Sequence, residues 1–276
     1  MLNGGMSNVA IITGAASGFG LGLAKELVAR GWIVYAADRD SAAVEKTKEF
    51  GAHPRRCDVT NPEDLKAVAQ EAIADQGKID LLVANAGFGN FSSVEETPPQ
   101  EVRNLFEVNV FGVENSIRAV LPQMRKQRSG RIIITTSVVG HVSLVGLGWY
   151  AATKQAIKAM ANALRQEVRW LGIRVSTVEP GTSKTGFGKV AFDLLESGRK
   201  EGDYDRVMAG LNKWLGGLYR ISPGPEKVVK KMLRAATARR PKAHYPASWD
   251  VRALKLAFYL LPKSWLDGIV LWLAKH

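Results

Sequence analysis

The segment Val9-Ala10-Ile11-Ile12-Thr13-Gly14-Ala15-Ala16-Ser17-Gly18-Phe19-Gly20 is the most informative part of the chain about its fold class. Its first five residues are apolar or β-branched, which predicts a short buried strand, and residues 19–30 predict an amphipathic helix. Glycines between a strand and a helix let the backbone approach a phosphate closely, and the helix N-terminus adds free N–H groups. Because the spacing is G-x-x-x-G-x-G and not G-x-G-x-x-G, a purely structural turn stays open on this stretch alone. The flanking strand and helix favour a dinucleotide-binding turn made of Gly14, Ser17, Gly18, Phe19 and Gly20.

The same alternation continues along the chain. Further apolar runs lie at residues 33–37, 81–84, 131–136 and 174–178, and helical patterns lie at 41–50, 61–76, 99–127 and 150–171. Continuously apolar strands separated by helices indicate a parallel sheet that is covered on both faces. We therefore predict an α/β fold with a doubly wound, Rossmann-like parallel sheet. A further helix is expected at 225–238 and a short strand at 243–245.

The 276 residues are predicted to form one catalytic domain with a tail. An α/β fold accommodates this length in a single domain, so residues 1–247 are assigned to a Rossmann-like catalytic domain. Within it, residues 182–217 are rich in glycine and charge, which favours an irregular substrate loop. Residues 248–276 predict a helical C-terminal extension that is apolar and basic.

The composition excludes several classes of protein. The single cysteine, Cys57, rules out an internal disulfide framework, and a buried, inert thiol is the favoured interpretation. The N-terminus lacks the basic start and long apolar stretch of a signal peptide, so a cytoplasmic location is expected, with membrane association left open. No metal site is predicted.

The end of the second predicted strand bears on the choice of nucleotide. Asp38 lies about twenty residues after the glycines, where a carboxylate accepts hydrogen bonds from the ribose of NAD and repels the 2′-phosphate of NADP. Arg39 follows directly and could stack on the adenine or bind that phosphate, and Asp38 could simply cap the next turn. We expect NAD, with NADP as the alternative.

Tyr150 and Lys154 form a candidate acid/base pair. They are four residues apart in a predicted helix and therefore share one face. A tyrosine hydroxyl titrates near ~10, and a neighbouring ammonium lowers that pKa towards the range in which proton exchange is efficient. Such pairs occur by chance in many helices, so a catalytic role for this one needs support from accompanying motifs.

The sequence resembles the short-chain dehydrogenase/reductase family over residues 7–186. The resemblance rests on motifs that occur in the family's order: residues 13–20, Asp58-Val59, Asn85-Ala86-Gly87, Asn109, Ser137, Tyr150-Ala151-Ala152-Thr153-Lys154 and Pro180-Gly181. It implies that Tyr150 exchanges a proton with the substrate oxygen, which Ser137 holds. It also implies that Lys154 lowers the pKa of Tyr150 and binds the nicotinamide ribose, and that Asn109 anchors a water linking Lys154 to solvent.

The resemblance implies further nucleotide contacts. Asp58 and Val59 would lie beside the adenine, while Asn85, Ala86 and Gly87 would support the sheet and the cofactor. Pro180 and Gly181 would continue the site towards Thr185, which resembles a threonine that contacts the nicotinamide carboxamide. Thr182-Ser183-Lys184 departs from the more apolar stretch usual there, which makes the match at Thr185 looser. A homodimer or homotetramer is also implied.

Apolar residues follow Ser137 on the expected substrate side. Loop 141–149, with Val138, Val139, Phe187 and Phe192, could line a largely apolar pocket, although ordinary packing is the alternative. A hydrophobic small molecule of steroid, retinoid or fatty type is therefore favoured as substrate. His141 is interpreted as a solvated loop histidine.

The tail predicts two apolar helices, at 251–261 and 265–273, separated by Pro262. Each is shorter than the ~20 residues needed to span a bilayer. Residues 220–276 carry 12 Lys or Arg against 3 acidic residues, a net charge of +9. Docking on a membrane surface and packing against protein are equally open. Nucleic-acid binding is not expected, because no helix-turn-helix, zinc or RNA-binding motif is recognisable.

We therefore predict an NAD(H)-dependent oxidoreductase that interconverts an alcohol and a carbonyl on a hydrophobic substrate by hydride transfer. An NADP-preferring carbonyl reductase is one alternative. A nucleotide-binding scaffold or redox sensor without turnover is the other.

Overall fold

The computed structural model describes residues 7–183, 202–247 and 249–275. Its strands are β1 Val9–Thr13, β2 Ile33–Asp38, β3 His53–Arg56, β4 Leu81–Ala84, β5 Gly130–Thr135, β6 Ile173–Glu179 and β7 His244–Pro246. In this described part of the chain, seven strands form one parallel sheet in the order β3-β2-β1-β4-β5-β6-β7. The predicted doubly wound parallel sheet is confirmed.

The helices connect the strands and extend beyond them. They are α1 Gly18–Val28, α2 Ser41–Glu45, α3 Pro62–Gln76, α4 Pro99–Phe106, α5 Gly112–Gln127, α6 Gly148–Val168, α7 Asp205–Ile221, α8 Glu226–Thr237, α9 Trp249–Leu260 and α10 Lys263–Lys275. Local sequence sets some of these limits. Asn61 begins α3 by accepting a hydrogen bond from the backbone N–H of Glu63, and Gly77 ends it in the left-handed conformation.

Helices cover both faces of the sheet. Successive residues of a strand point to opposite faces, so Ile11 packs in one core and Ile12 in the other. Side chains from α3, α5 and α6 fill the first core, and side chains from α1 and α8 fill the second. Cys57 is buried in the first core, and burial raises the pKa of its thiol to about 12. This matches the expected inert thiol.

The strand order reverses beside β1. The chain builds β2 and β3 on one side of β1 and then crosses to build β4, β5, β6 and β7 on the other. In open parallel sheets, ligands bind outside the carboxyl ends of the strands at this switch point. The glycine turn after β1 and Asn85 after β4 therefore meet at the expected place for a ligand.

Three elements differ from the sequence-based expectations. β3 is absent from the apolar runs identified in the sequence, because His53-Pro54-Arg55-Arg56 is polar, but an edge strand tolerates proline and polar side chains. The expected continuous helix 99–127 is interrupted by a π-helical turn, Glu107–Phe111. Within the expected loop 182–217, α7 forms because Met208, Leu211 and Leu215 bury one helical face. The division into a domain and a tail stays a prediction.

Candidate active site

A cleft of about 1420 Å³ runs along the carboxyl ends of the central strands. Single small-molecule sites occupy roughly 300–1,000 Å³, so this cleft has room for two ligands side by side. The glycine turn and Asp38 lie in one region of it, and Ser137, Tyr150 and Lys154 lie in another. Most of the site residues expected from the sequence thus line one cleft.

The glycine turn has the backbone shape that a pyrophosphate requires. Gly14 and Gly18 have φ angles of +66° and +53°, in the left-handed region that favours glycine. A Cβ on residue 20 would overlap the carbonyl oxygen of Gly14. Ser17 is extended at the N-cap of α1, and its side chain makes no capping hydrogen bond. The first turn of α1 therefore keeps donors and a positive dipole end for an anion, which fits a dinucleotide.

Asn85 fixes this turn from the neighbouring strand. Its side-chain amide donates to the carbonyls of Thr13 and Gly14, at 3.2 and 3.3 Å, and its Oδ1 accepts from the Thr135 hydroxyl at 3.1 Å. The Thr13 hydroxyl in turn accepts from the backbone N–H groups of Asn85 and Ala86. Asn85 thus joins the ends of β1, β4 and β5.

The acidic residues at the far end of the cleft are held by backbone groups. Asp38 accepts from the N–H of Ala16 at 3.0 Å and from the N–H of Asp40 at 3.1 Å. Asp58 accepts from the N–H and hydroxyl of Thr60, and the backbone hydrogen bond is the main reason why its pKa lies below the ordinary value. The charge of the exposed Arg39 lowers that pKa further. Asp38, Arg39 and Asp58 are therefore close neighbours beside the glycine turn.

Ser137, Tyr150 and Lys154 come together deep in the cleft. Ser137 follows β5 in extended conformation, and the other two lie one turn apart in α6. Lys154 is 5% exposed, and its ammonium donates to the Thr135 carbonyl at 3.2 Å and lies 5.6 Å from the centre of the Tyr150 ring. All three are buried, in a cleft that a substrate and a nucleotide can share.

Burial dominates the acid/base properties of this group. It raises the pKa of Tyr150 above its ordinary value, and the hydrogen bond between Tyr150 and Ser137 lowers that pKa in part. Burial also lowers the pKa of Lys154 to about 8. The lysine is thus poised to change charge near neutral pH, and the tyrosine needs an added stabiliser of its phenolate to exchange protons there.

Asn109 lies in the π-helical turn and is fully buried. Its amide nitrogen donates to the carbonyl of Phe88 and to the Thr153 hydroxyl, and its Oδ1 accepts from the N–H of Phe88. A Cβ on residue 87 would lie 2.8 Å from that Oδ1 and 3.6 Å from the Lys154 ammonium. Asn109 and Lys154 therefore both face Gly87, which leaves no room for a side chain at this point.

His141 differs from its sequence-based interpretation. It is not a solvated loop histidine: its side chain is buried, with Nε2 3.1 Å from Oε1 of Glu179 and Nδ1 2.7 Å from Nζ of Lys158. His244 places Nδ1 3.2 Å from the same carboxylate oxygen. The sequence offered no signal for this cluster, because the partners come from separate strands and loops.

The substrate side of the cleft has apolar walls. Val138, Val139, Leu144 and Leu147 line it as expected. Sequence reasoning missed the walls supplied by α7, α9, α10 and the turn between the last two. These walls are Trp214, Leu215, Leu218, Tyr219, Phe258, Leu261, Leu266 and Val270. Their apolar helical spacing was a signal for burial but not for a shared pocket. Pro180 and Gly181 line the cleft, whereas Thr185, Phe187 and Phe192 lie outside the described residues.

A doubly wound sheet with a glycine turn and a buried tyrosine–lysine pair at its carboxyl ends is the arrangement of a nicotinamide-dependent oxidoreductase. A family model described as short chain dehydrogenase matches residues 8–193. The chain belongs to the short-chain dehydrogenase/reductase family and is an NAD(P)-dependent oxidoreductase of that family.

Several similar proteins match nearly the whole chain. A 3-ketodihydrosphingosine reductase from Bacteroides thetaiotaomicron is 32% identical over 94% of this chain and 93% of its own length. The 17-beta-hydroxysteroid dehydrogenase type 6 of Rattus norvegicus is 32% identical over 94% of this chain and 86% of its own length. A short-chain dehydrogenase/reductase from Burkholderia phymatum, solved in complex with NAD, is 29% identical and superimposes with a TM-score of 0.79 over 91% of this chain and 92% of its own.

Proposed function

We propose that this protein uses NAD(H) to interconvert an alcohol and a carbonyl group on a hydrophobic substrate. The observation that carries the proposal is the placement of Ser137, Tyr150 and Lys154 in one cleft with Asp38 and with apolar walls. The nucleotide supplies the hydride acceptor or donor at its nicotinamide ring. The chain's residues bind, orient and exchange the proton.

The preference for NAD follows from Asp38. Its carboxylate lies beside the glycine turn, where it would accept hydrogen bonds from the adenosine ribose and repel a 2′-phosphate. Gly14, Gly18 and the first turn of α1 would hold the pyrophosphate, while Asp58 and Val59 would border the adenine. Arg39 is the feature that favours NADP, because its guanidinium is exposed at the same edge.

Tyr150 is the proposed proton carrier. During oxidation its phenolate would take the proton of the substrate hydroxyl, and during reduction its hydroxyl would return a proton to the carbonyl oxygen. Ser137 would hold that oxygen, since it already hydrogen-bonds with Tyr150. Lys154 would hold the nicotinamide ribose and stabilise the phenolate. Asn109, which faces Gly87 together with Lys154, would anchor a water for proton exchange with solvent.

The apolar walls favour a steroid-, retinoid- or fatty-type substrate. Val138, Val139 and Phe258 pack near Tyr150, and α7 and α10 add further aliphatic and aromatic surface. Two relatives that are named for a sphingoid ketone and a steroid support this class. Each buried CH₂ group contributes about 0.8 kcal/mol, so binding should improve about fourfold per methylene until the pocket is filled.

The test is the oxidation of a series of 2-alkanols of increasing length, followed by the absorbance of NADH. We expect kcat/KM to rise about fourfold per added methylene and to level off at the length of the pocket. A kcat/KM that does not change with chain length would contradict the proposal that the substrate is hydrophobic. Absence of turnover across alkanols, sterols and their ketones would favour a nucleotide-binding scaffold or redox sensor instead.

A further inference from the structure

Helices α9 and α10 expose a concentrated apolar surface. Among the residues there whose side chains the structure describes, seven large apolar ones reach solvent: Leu256, Tyr259, Leu260, Leu261, Trp265, Leu271 and Trp272. Tyr259 is 86% exposed and Trp265 is 66% exposed. Elsewhere in residues 7–183 and 202–247, the exposed large apolar residues are Val94, Phe111, Trp170 and Tyr204, which are far apart in the sequence. A concentration of exposed large apolar side chains of this kind marks an interaction site.

The opposite faces of the same two helices belong to the cleft. Val251, Phe258, Leu266 and Val270 line it, and Phe258 packs in the cluster that contains Tyr150. α10 packs against α7, and α9 packs against the turn Val138–Gly140. The two helices therefore form one wall, with the cleft on its inner side and exposed aromatic and aliphatic side chains on its outer side.

The chemistry of the outer side fits a lipid surface. Trp and Tyr mixed with Leu are typical of the membrane interface. The sequence of the tail adds Arg252, Lys255, Lys263 and Lys275 against Asp250 and Asp267, which is an excess of cations that anionic headgroups would attract. None of the helices in the described residues combines the length and apolarity needed to cross a bilayer. Helices of 12 and 13 residues suit an orientation in the plane of the interface.

A second copy of the chain fits this surface less well. Pairing through a two-fold axis would bring identical patches together, and with them the two excess positive charges of each tail. An anionic bilayer removes that repulsion and covers the apolar side chains at the same time.

We propose that α9 and α10 dock the protein on an anionic membrane surface, and that an apolar substrate enters the cleft from the bilayer past this wall. Docking is independent of the reaction, whereas the route of entry rests on the proposed function. The wall places the substrate side of the cleft next to the lipid, so a substrate dissolved in the bilayer need not cross water.

The docking test uses the full chain with vesicles of phosphatidylcholine alone or mixed with phosphatidylglycerol. We expect the protein to float with the mixed vesicles and to be released by added sodium chloride. The double variant Tyr259→Glu/Trp265→Glu should bind about tenfold more weakly or worse. Trp170→Glu is the matched control, because Trp170 is 73% exposed but lies far from the tail in the sequence and outside the cleft lining.

Failure of the wild-type protein to float, or equal flotation of the double variant, would overturn the proposal. A wild-type oligomer that the double variant converts to monomer, without vesicle binding, would assign the surface to a second copy and also overturn it. Circular dichroism and NADH binding of the variants would exclude misfolding.

The route of entry is tested with a long-chain 2-alkanone embedded in the mixed vesicles and a short one in solution. The double variant should lose about tenfold in rate on the embedded ketone and keep its rate on the soluble one. Equal loss on both ketones, or no loss on either, would overturn the route. Flotation without turnover of either ketone by the wild type would instead remove the proposed function and leave docking intact.

Discussion

Nε2 of His141 lies 3.1 Å from Oε1 of Glu179, and both side chains are buried. Glu179 ends β6 immediately before Pro180, and His141 ends the turn that follows Ser137. The N–H of Val138 also donates to the carbonyl of Pro180 at 2.8 Å. The two segments that border the proposed substrate oxygen and the nicotinamide are thus held together by a buried contact between an imidazole and a carboxylate.

Replacing Glu179 by Leu should destabilise the fold. The substitution leaves His141 and His244 beside a carbon chain where each now faces a carboxylate oxygen, and leaving a buried polar group without its partner costs about 1–3 kcal/mol. Urea unfolding followed by circular dichroism measures the change. Glu167→Leu is the control, because Glu167 is exposed and should shift stability by less than about 0.5 kcal/mol. Equal stability of both variants would contradict a structural role for the pair.

Replacing Tyr150 by Phe should lower kcat by about 10²–10⁴-fold, because the proton carrier is removed while the ring remains. Affinity for NADH, measured by fluorescence titration, should stay within about threefold of wild type. Tyr204→Phe removes a hydroxyl that donates to the exposed Glu95, and should leave turnover unchanged. Undiminished turnover in Tyr150→Phe would show that Tyr150 is not the proton carrier.

Replacing Asp38 by Asn should shift the nucleotide preference towards NADP. The amide keeps an oxygen for the N–H of Ala16 but removes the charge that repels a 2′-phosphate. The ratio of dissociation constants for NADP and NAD should fall about tenfold, as measured by calorimetry. Asp40→Asn serves as the control, since the Asp40 carboxylate caps α2 by accepting from the N–H of Ala43. If the wild type binds NADP more tightly than NAD, Arg39 and not Asp38 determines the nucleotide preference.

Replacing Gly20 by Ala should abolish nucleotide binding and cost more than about 1 kcal/mol of stability, because the new Cβ overlaps the Gly14 carbonyl and must displace the turn. Gly217→Ala is the matched substitution in α7, where the added Cβ meets open space. It should raise stability by about 0.4–1 kcal/mol. Retained NAD binding in Gly20→Ala would refute the close approach of α1 to this turn.

The buried Lys154 should make stability depend on alkaline pH. Its pKa of about 8 in the fold lies below its ordinary value of 10.5, so the unfolded chain binds more protons at this site between those two values. Burial of the ammonium therefore lowers the free energy of unfolding by its full amount below about pH 8. This destabilisation decreases as pH rises towards about 10.5.

The measurement compares the wild type with Lys154→Met. Relative to the variant, the wild type should gain up to roughly 3 kcal/mol between about pH 7 and about pH 10. Other groups titrate in both proteins, so their contributions cancel in the difference. A difference in unfolding free energy that does not change with pH would place the lysine pKa near its ordinary value.

Local pattern predicted the parts of the molecule that local forces determine. Apolar runs gave β1, β2 and β4, and the spacing of Tyr150 and Lys154 placed both on one helical face, as the structure shows. The environment of His141 was not predictable, because its partner Glu179 lies 38 residues later in the sequence, at the end of β6. The polar edge strand β3 and the π-helical turn around Asn109 depend on sheet position and on tertiary hydrogen bonds, for which the sequence carries no periodic signal.

The hydrogen bond between Asn85 and Thr13, 72 residues apart, has a kinetic consequence. The glycine turn is encoded in one short segment, but its carbonyls are held only once β4 has paired with β1. Contacts between such distant residues form late, since a long loop must close first. During refolding, affinity for the nucleotide should therefore emerge in a slow phase, after the helical signal has already returned.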